Sequence, residues 1–348
     1  MQNRRSKHLS EHERIRRLPR HSAGLDYTLA IETDATDPYH VGTEQDGRWN
    51  HVQECLLLLV SAGDTVLDIG ANIGVVTIPL AAKGAQVIAY EVLAENVRFL
   101  NAAIRDNKFE DRVTVRNLAA WEENTRLSFT GESAWGRVVP GHQPTHDAVA
   151  IDSDIHPSTQ VSAVKLDVEG SELHVLRGMR RLIETQHPHI VFESNSLELG
   201  RLGSSAAAMF DYLRQFGYRI YRVYDRRRLL RPGIYPQESS VSDFLATVLD
   251  PWQLRWKVGF RVGALRPRHI VRKIFDWDDD CWPDRLHLLA VIDRLPAQVR
   301  RDEAIAGMVN DWRNRYGDHP LLQTVRDGVF GSDADRGASE PEKSSVSI

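Results

Sequence analysis

The sequence predicts an α/β fold: a mostly parallel sheet with crossover helices on both faces, plus a small, mostly helical C-terminal appendage. Three observations predict it. Between about residues 49 and 249, short β-branched runs alternate with stretches whose apolar residues recur at helical spacing. One of those runs, Thr65–Ile69, leads straight into a glycine-containing turn. After residue 250 the composition shifts, with seven Arg or Lys and no acidic residue in 251–275, and then Asp276-Trp277-Asp278-Asp279-Asp280.

Residues 50–60 are expected to be a helix whose apolar block, 55–59, is buried against the sheet. Strand 65–69 is followed by a helix through Lys83, closed by Gly84 as the left-handed stop. A strand at 86–90 precedes a helix at 95–106, where Val97, Leu100, Ala103 and Ile104 share one face. Strand 113–116, a hairpin within 125–139 and strand 161–166 come next, the last ending at Asp167. A helix over 171–184, strand 189–192, helix 205–216 and a closing pair, 218–223 with 244–248, complete the domain. No internal repeat is present. The expected organisation is a basic flexible arm (1–25), a ligand-binding domain (26–250), a helical appendage (251–330, with helices near 285–293 and 302–316) and a disordered tail (331–348).

Composition excludes several classes. With 348 residues, 42% hydrophobic and 26% charged, the chain is neither collagen-like nor wholly disordered. The longest apolar run, 55–60, falls far short of the roughly 20 residues that span a bilayer. The first twenty residues carry seven Arg or Lys but no apolar stretch, which is unlike a secretory signal and predicts a cytoplasmic location. Cys55 and Cys281 stand far apart without partner motifs, so neither a disulfide framework nor a zinc ribbon is expected. A net charge of −4 argues against a dedicated nucleic-acid binder.

The sharpest local feature is Val66-Leu67-Asp68-Ile69-Gly70-Ala71-Asn72-Ile73-Gly74, a strand running into a turn and then a helix. Its glycines let a ligand approach the backbone, and Asn72 tolerates positive φ. A second strand ends at Glu91, where a carboxylate can accept from a ribose diol. Together they indicate an adenosine-containing ligand. The dinucleotide fingerprint GxGxxG lacks its third position here, and no GxxxxGK[ST] loop occurs. Asp68, two positions before the first glycine, disfavours a pyrophosphate and favours a sulfonium or ammonium, as in S-adenosylmethionine. Ala120 and Trp121 follow the third strand, where the indole can pack on an adenine or serve the core.

Three segments then resemble the FkbM family of S-adenosylmethionine-dependent methyltransferases. They are Leu67 through Gly74, then Ala89-Tyr90-Glu91 leading to Glu95-Asn96 and Leu100-Asn101, and finally Lys165-Leu166-Asp167-Val168-Glu169-Gly170-Ser171-Glu172-Leu173 with Val175-Leu176-Arg177-Gly178. The resemblance covers roughly residues 54–195 and departs at Val92, where the family usually has proline. It implies a Rossmann-like class I methyltransferase sheet and methylation of a hydroxyl on a sugar, glycan or secondary metabolite.

Read from the residues, Asp167 and Glu169 fall at a strand's carboxyl end, where ligands of open α/β sheets bind. Methyl transfer to a hydroxyl requires alignment and removal of one proton, so Asp167 is the first candidate base, with Glu169 and Glu172 next and His174 after them. The same carboxylates can also simply cap the following helix. Asp167, Glu193 and Asn195 can present oxygen ligands to Mg²⁺, but strand-end carboxylates equally bind substrates or hold loops, and no metal is assigned. His142, His146, Asp147, Asp152, Asp154 and His156 lack regular ligand spacing and read as a solvated lid. Trp135 and Arg137 are candidates for touching the acceptor. The basic aromatic stretch 252–273 suits an anionic acceptor or peripheral contact with a membrane surface, or pairs with the acidic run 276–280. Two other classes remain open: an NAD-type oxidoreductase, and a non-catalytic protein that binds an adenosyl ligand.

Overall fold

In the computed structural model, the alternating apolar runs line up as a nine-stranded sheet. The described residues are 15–33, 38–44, 50–130, 136–139, 143–225, 227–230 and 241–263. The chain divides into a unit of Met1–Arg231 with Ser242–Gly263 and a unit of Pro232–Val241 with Ala264–Ile348. Every described residue except Val241 belongs to the first.

That unit begins with a hairpin, β1 (Ile15–Ser22) and β2 (Leu25–Glu32), and two helices, α1 (Pro38–Glu44) and α2 (Asn50–Leu59). Strand–helix alternation follows as β3 (Thr65–Ile69), α3 (Thr77–Ala82), β4 (Gln86–Tyr90), α4 (Ala94–Asn107) and β5 (Val113–Arg116). Next come the short strands β6 (Ala119–Trp121), β7 (Thr125–Leu127), β8 (Phe129–Thr130), β9 (Arg137–Val138) and β10 (His146–Ala150), then α5 (Ile151–Asp154). Alternation resumes with β11 (Val161–Leu166), α6 (Glu172–Gly178), α7 (Arg180–Gln186), β12 (His189–Asn195), α8 (Ser196–Arg201) and α9 (Ala206–Arg214). The unit closes with β13 (Arg219–Asp225), β14 (Arg228–Leu230), β15 (Val241–Thr247), α10 (Pro251–Gln253), a single π turn at Leu254–Val258, and β16 (Arg261–Gly263).

The large sheet runs β16-β14-β13-β15-β12-β11-β3-β4-β5. Strands β12, β11, β3, β4 and β5 are parallel, and β13 lies antiparallel to β14 and β15. From β3 the chain order proceeds outward to β4 and β5 on one side and to β11 and β12 on the other. That reversal opens a crevice beyond the carboxyl ends of β3 and β11. Alternation sorts the side chains: Val66 and Ala163 join one apolar layer, whereas Leu67, Ile69, Val164 and Leu166 join the layer on the opposite face. Asp68 and Lys165 therefore share the face of Val66 and Ala163.

The strands expected at 65–69, 86–90, 113–116 and 161–166 occur at those positions, as does the antiparallel closing pair. Three expectations are corrected. Residues 15–22, assigned to the flexible arm, pair along their whole length with β2, and Arg17 reaches Asp106 at 2.9 Å. The single helix expected over 171–184 is two: α6 ends at Gly178, which backs onto the Trp121 carbonyl, and the chain leaves helical geometry at Met179 before α7. Residues 251–263 are not the start of an appendage: Leu254 and Phe260 are fully buried, and β16 pairs with β14. The helices near 285–293 and 302–316 and the tail at 331–348 lie outside the described residues.

Candidate functional site

The turn after β3 is a closed cradle. Gly70, Asn72 and Gly74 have φ of 79°, 50° and 93°, the left-handed conformations expected of them. A Cβ on Gly70 would lie 1.9 Å from the Asp167 carbonyl oxygen, so only glycine lets the turns after β3 and β11 touch. The N–H groups of Gly70 and Ala71 both donate to the Tyr90 carbonyl at 2.9 Å, and that of Gly74 to the Ala71 carbonyl at 2.9 Å. Asn72 N–H donates to Glu91 Oε2 at 2.8 Å, and Ile73 N–H to Asn72 Oδ1 at 2.7 Å. Every backbone donor from Gly70 to Gly74 is thus satisfied internally, and the turn offers none to a pyrophosphate.

Glu91 is as buried as the cradle it serves. Its carboxylate accepts from Asn72 N–H, from Leu93 N–H at 2.8 Å and from Asn96 Nδ2 at 3.3 Å, taking three of about four acceptor positions. In this conformation it ties the β3 and β4 turns together and retains one acceptor position, not the two that a diol requires. Burial raises its pKa.

Asp68 does not face the cleft as a free charge. It is fully buried, accepts from Thr77 Oγ1 at 2.6 Å, and lies 3.6 Å from Lys165 Nζ. Burial pushes its carboxyl up while Lys165 pulls it down. Lys165 also sits 3.4 Å from Asp167 and donates to the Gly70 carbonyl. Burial disfavours its ammonium, but Asp167 and Asp68 outweigh that and hold it charged. Sequence pattern alone places Lys165 in a motif without a role; its position on the same face as Asp68, one strand over, is the signal that identifies it.

Acidic side chains reach the crevice instead from the turn after β11 and from β12. Asp167, Glu169 and Glu193 each place one carboxylate oxygen so that the three lie within 4.8 Å of one another. Glu169 stands at φ 50°, an uncommon conformation for a glutamate, beside Gly170 at 96°. Burial, then Asp167 and Glu172, push its pKa to about 8. Glu193 is driven well above the ordinary range by burial and by Asp167. Asn195, weighed with Asp167 and Glu193 as an oxygen donor but not assigned to a metal, caps α8 by accepting from Glu198 N–H at 3.4 Å. Glu172 points inward, 2% exposed, and its Oε1 accepts from Val168 and Gly170 N–H at 3.1 and 3.3 Å. It holds the turn that carries Asp167 and Glu169, and burial raises its pKa to about 7.

Several other expected residues have partners within the fold. The Trp121 ring stacks on His174 at 4.0 Å and 12°, and His174 Nδ1 lies 3.2 Å from Glu122. One indole face is therefore already covered. Ala120, beside it, is buried. Arg137 approaches Glu198 at 3.8 Å. The lid expected around His146–Asp154 is ordered structure: His146 and Asp147 lie in β10, Asp152 accepts from the N–H groups of Arg181 and Leu182 in α7, and Asp154 accepts from the Tyr90 hydroxyl at 2.6 Å. Ile151 and Ile155 anchor it in the core. Trp135 and His142 lie outside the described residues.

The parallel sheet that reverses at β3, with a glycine turn and a carboxylate cluster at the reversal, is a Rossmann-like domain. Residues 68–220 match the methyltransferase FkbM domain. A methyltransferase FkbM from Methylobacillus flagellatus KT is 22% identical, with a TM-score of 0.39, covering 54% of this chain and 44% of that one. TYW2 of P. horikoshii in complex with MeSAdo is 14% identical, with a TM-score of 0.33, covering 67% of this chain and 72% of that one. A tRNA (guanine(37)-N(1))-methyltransferase of Danio rerio is 35% identical over 65 residues, 19% of this chain and 14% of its own length. The chain thus spans a small part of that curated relative and less than half of the solved FkbM chain.

Proposed function

We propose that this methyltransferase domain binds S-adenosylmethionine at the carboxyl ends of β3 and β4 and methylates a hydroxyl on a sugar, glycan or other small molecule. The observation that carries the reading is the contact of Gly70 with Asp167, which puts the glycine cradle and the carboxylate cluster in one crevice. The donor set fits the group: the turn has no spare N–H for a phosphate, whereas carboxylates suit a cation, which also disfavours the dinucleotide reading. Gly70, Ala71, Asn72 and Gly74 would line it, Glu91 would receive a ribose hydroxyl at its remaining acceptor position, and Asp68 would act indirectly by fixing Lys165. Ala120 and the free face of Trp121 are the proposed adenine wall. When bound, S-adenosylmethionine supplies an electrophilic methyl group.

Asp167 and Glu169 are the proposed proton acceptors for the hydroxyl. Glu169 moves ahead, because a carboxylate titrating at about 8 is a stronger base than an ordinary one and still ionises near neutral pH. Glu172 drops out of that role, since its bonded oxygen serves the turn.

Calorimetric titration of the full chain with S-adenosylhomocysteine tests the site. Saturable binding is expected, and Gly70→Ala should abolish it, because the new methyl group drives the two turns apart. Absence of any heat from the unaltered protein would end the reading. Glu169→Gln should keep this affinity while transfer of a labelled methyl group to hydroxylated acceptors falls by about 10²-fold or more; unchanged transfer would remove Glu169 as the base.

A further inference from the structure

Away from the crevice, α10 and the π turn after it display two tryptophans side by side. Trp252 and Trp256 are each 67% exposed, and their ring centroids are 6.3 Å apart at 51°. Their display is built in. Asp250 and Gln253 form a reciprocal capping box, Leu254 and Phe260 are fully buried beneath, and β16 fastens the segment to the sheet. Arg255, Lys257 and Arg261 are exposed in the same segment, and Arg255 lies over the Trp256 ring. The sequence from 251 to 275 carries seven basic residues and no acidic one.

We propose that this surface docks the protein on an anionic phospholipid membrane, with the two indoles seated at the headgroup level and the basic side chains on lipid phosphates and carboxylates. Large exposed aromatics fixed on a rigid platform mark an interaction surface. Indoles partition to the bilayer interface, where their apolar rings and N–H groups are both accommodated, and juxtaposed cations add attraction to negative lipids. Charge complementarity selects the occupant, since the patch is cationic in a chain whose net charge is −4. A single-stranded nucleic acid fits less well: Arg255 lies 5.8 Å over the Trp256 ring and takes a face that a base would need for stacking. No helix among the described residues is long and apolar enough to cross a membrane, so the contact proposed is peripheral.

The test is co-sedimentation of the full chain with vesicles of phosphatidylcholine and phosphatidylserine at about 7 to 3, against phosphatidylcholine alone. Binding to the mixed vesicles only, weakened by salt, is expected. Trp252→Ala with Trp256→Ala should lower the partition coefficient about tenfold or more. Arg255→Gln with Lys257→Gln should lower it roughly fivefold per residue. Both pairs lie on exposed positions, and an unchanged unfolding midpoint verifies that the fold persists. Failure of the unaltered protein to sediment, or equal sedimentation of the variants, overturns the proposal. So does tryptophan-dependent binding of a single-stranded RNA without vesicle binding, or tryptophan-dependent self-association in its place. Vesicle binding that appears only after Asp278→Asn, Asp279→Asn and Asp280→Asn overturns it as well, because the patch then serves the chain's own acidic run.

Discussion

Lys165 is the residue on which the crevice turns. It neutralises the buried Asp68, holds Asp167 and reaches the Gly70 carbonyl, so three parts of the site share one ammonium. Lys165→Met should cost about 3–5 kcal/mol in urea unfolding, because it strands a carboxylate in the core. Adding Asp68→Asn should return most of that loss; if the double variant is no more stable than the single one, the pair is not the cause. Local pattern made Asp68, Gly70 and Asn72 legible, since a strand–turn–helix of that composition has few uses. It misassigned the charge of Asp68 because the counter-ion comes from a strand distant in sequence and adjacent only in the folded sheet. The inward turn of Glu172 was hidden for the same reason: alternation gives a strand residue its face, but the residues of a turn have no period to read.

At the scale of elements, parallel strands were legible because both faces are buried and the runs are nearly continuous in Val, Leu and Ile. Elements that rest on tertiary pairing were not. The β1 strand reads as a polar arm, since three of its eight residues are arginine and its partner is the chain itself two residues on. The three-residue β16 lies in a basic stretch that reads as a separate appendage, yet it is fixed by Phe260. Phe260→Ala should therefore destabilise the sheet unit by about 3–5 kcal/mol, while Trp252→Ala stays within about 0.5 kcal/mol. Equal effects in thermal melts would mean that 251–263 does not belong to the core.

For the whole molecule, the carboxylates around the β11 turn couple folding to pH. Glu172 and Glu169 titrate from an ordinary 4.5 up to about 7 and about 8 in the fold. Their pKa values are raised, so the folded chain holds protons that the unfolded chain has released. This contribution is fully present below about pH 4.5 and is lost as pH rises through about 7 to 8. Melting temperature should fall over that window, and Glu172→Gln should flatten the fall; a midpoint that climbs instead would contradict the burial of these groups.

The Gly70 contact also has a mechanical meaning. Its N–H is bonded to β4, its carbonyl to a side chain of β11, and its bare Cα abuts the Asp167 carbonyl, so three adjacent strand ends are stitched at one point. No strand can slide past its neighbour there without breaking several bonds at once. Breathing of the protein must therefore be borne by its outer loops. The amide protons of Gly70, Ala71 and Asp167 should exchange with solvent only when the entire sheet comes apart.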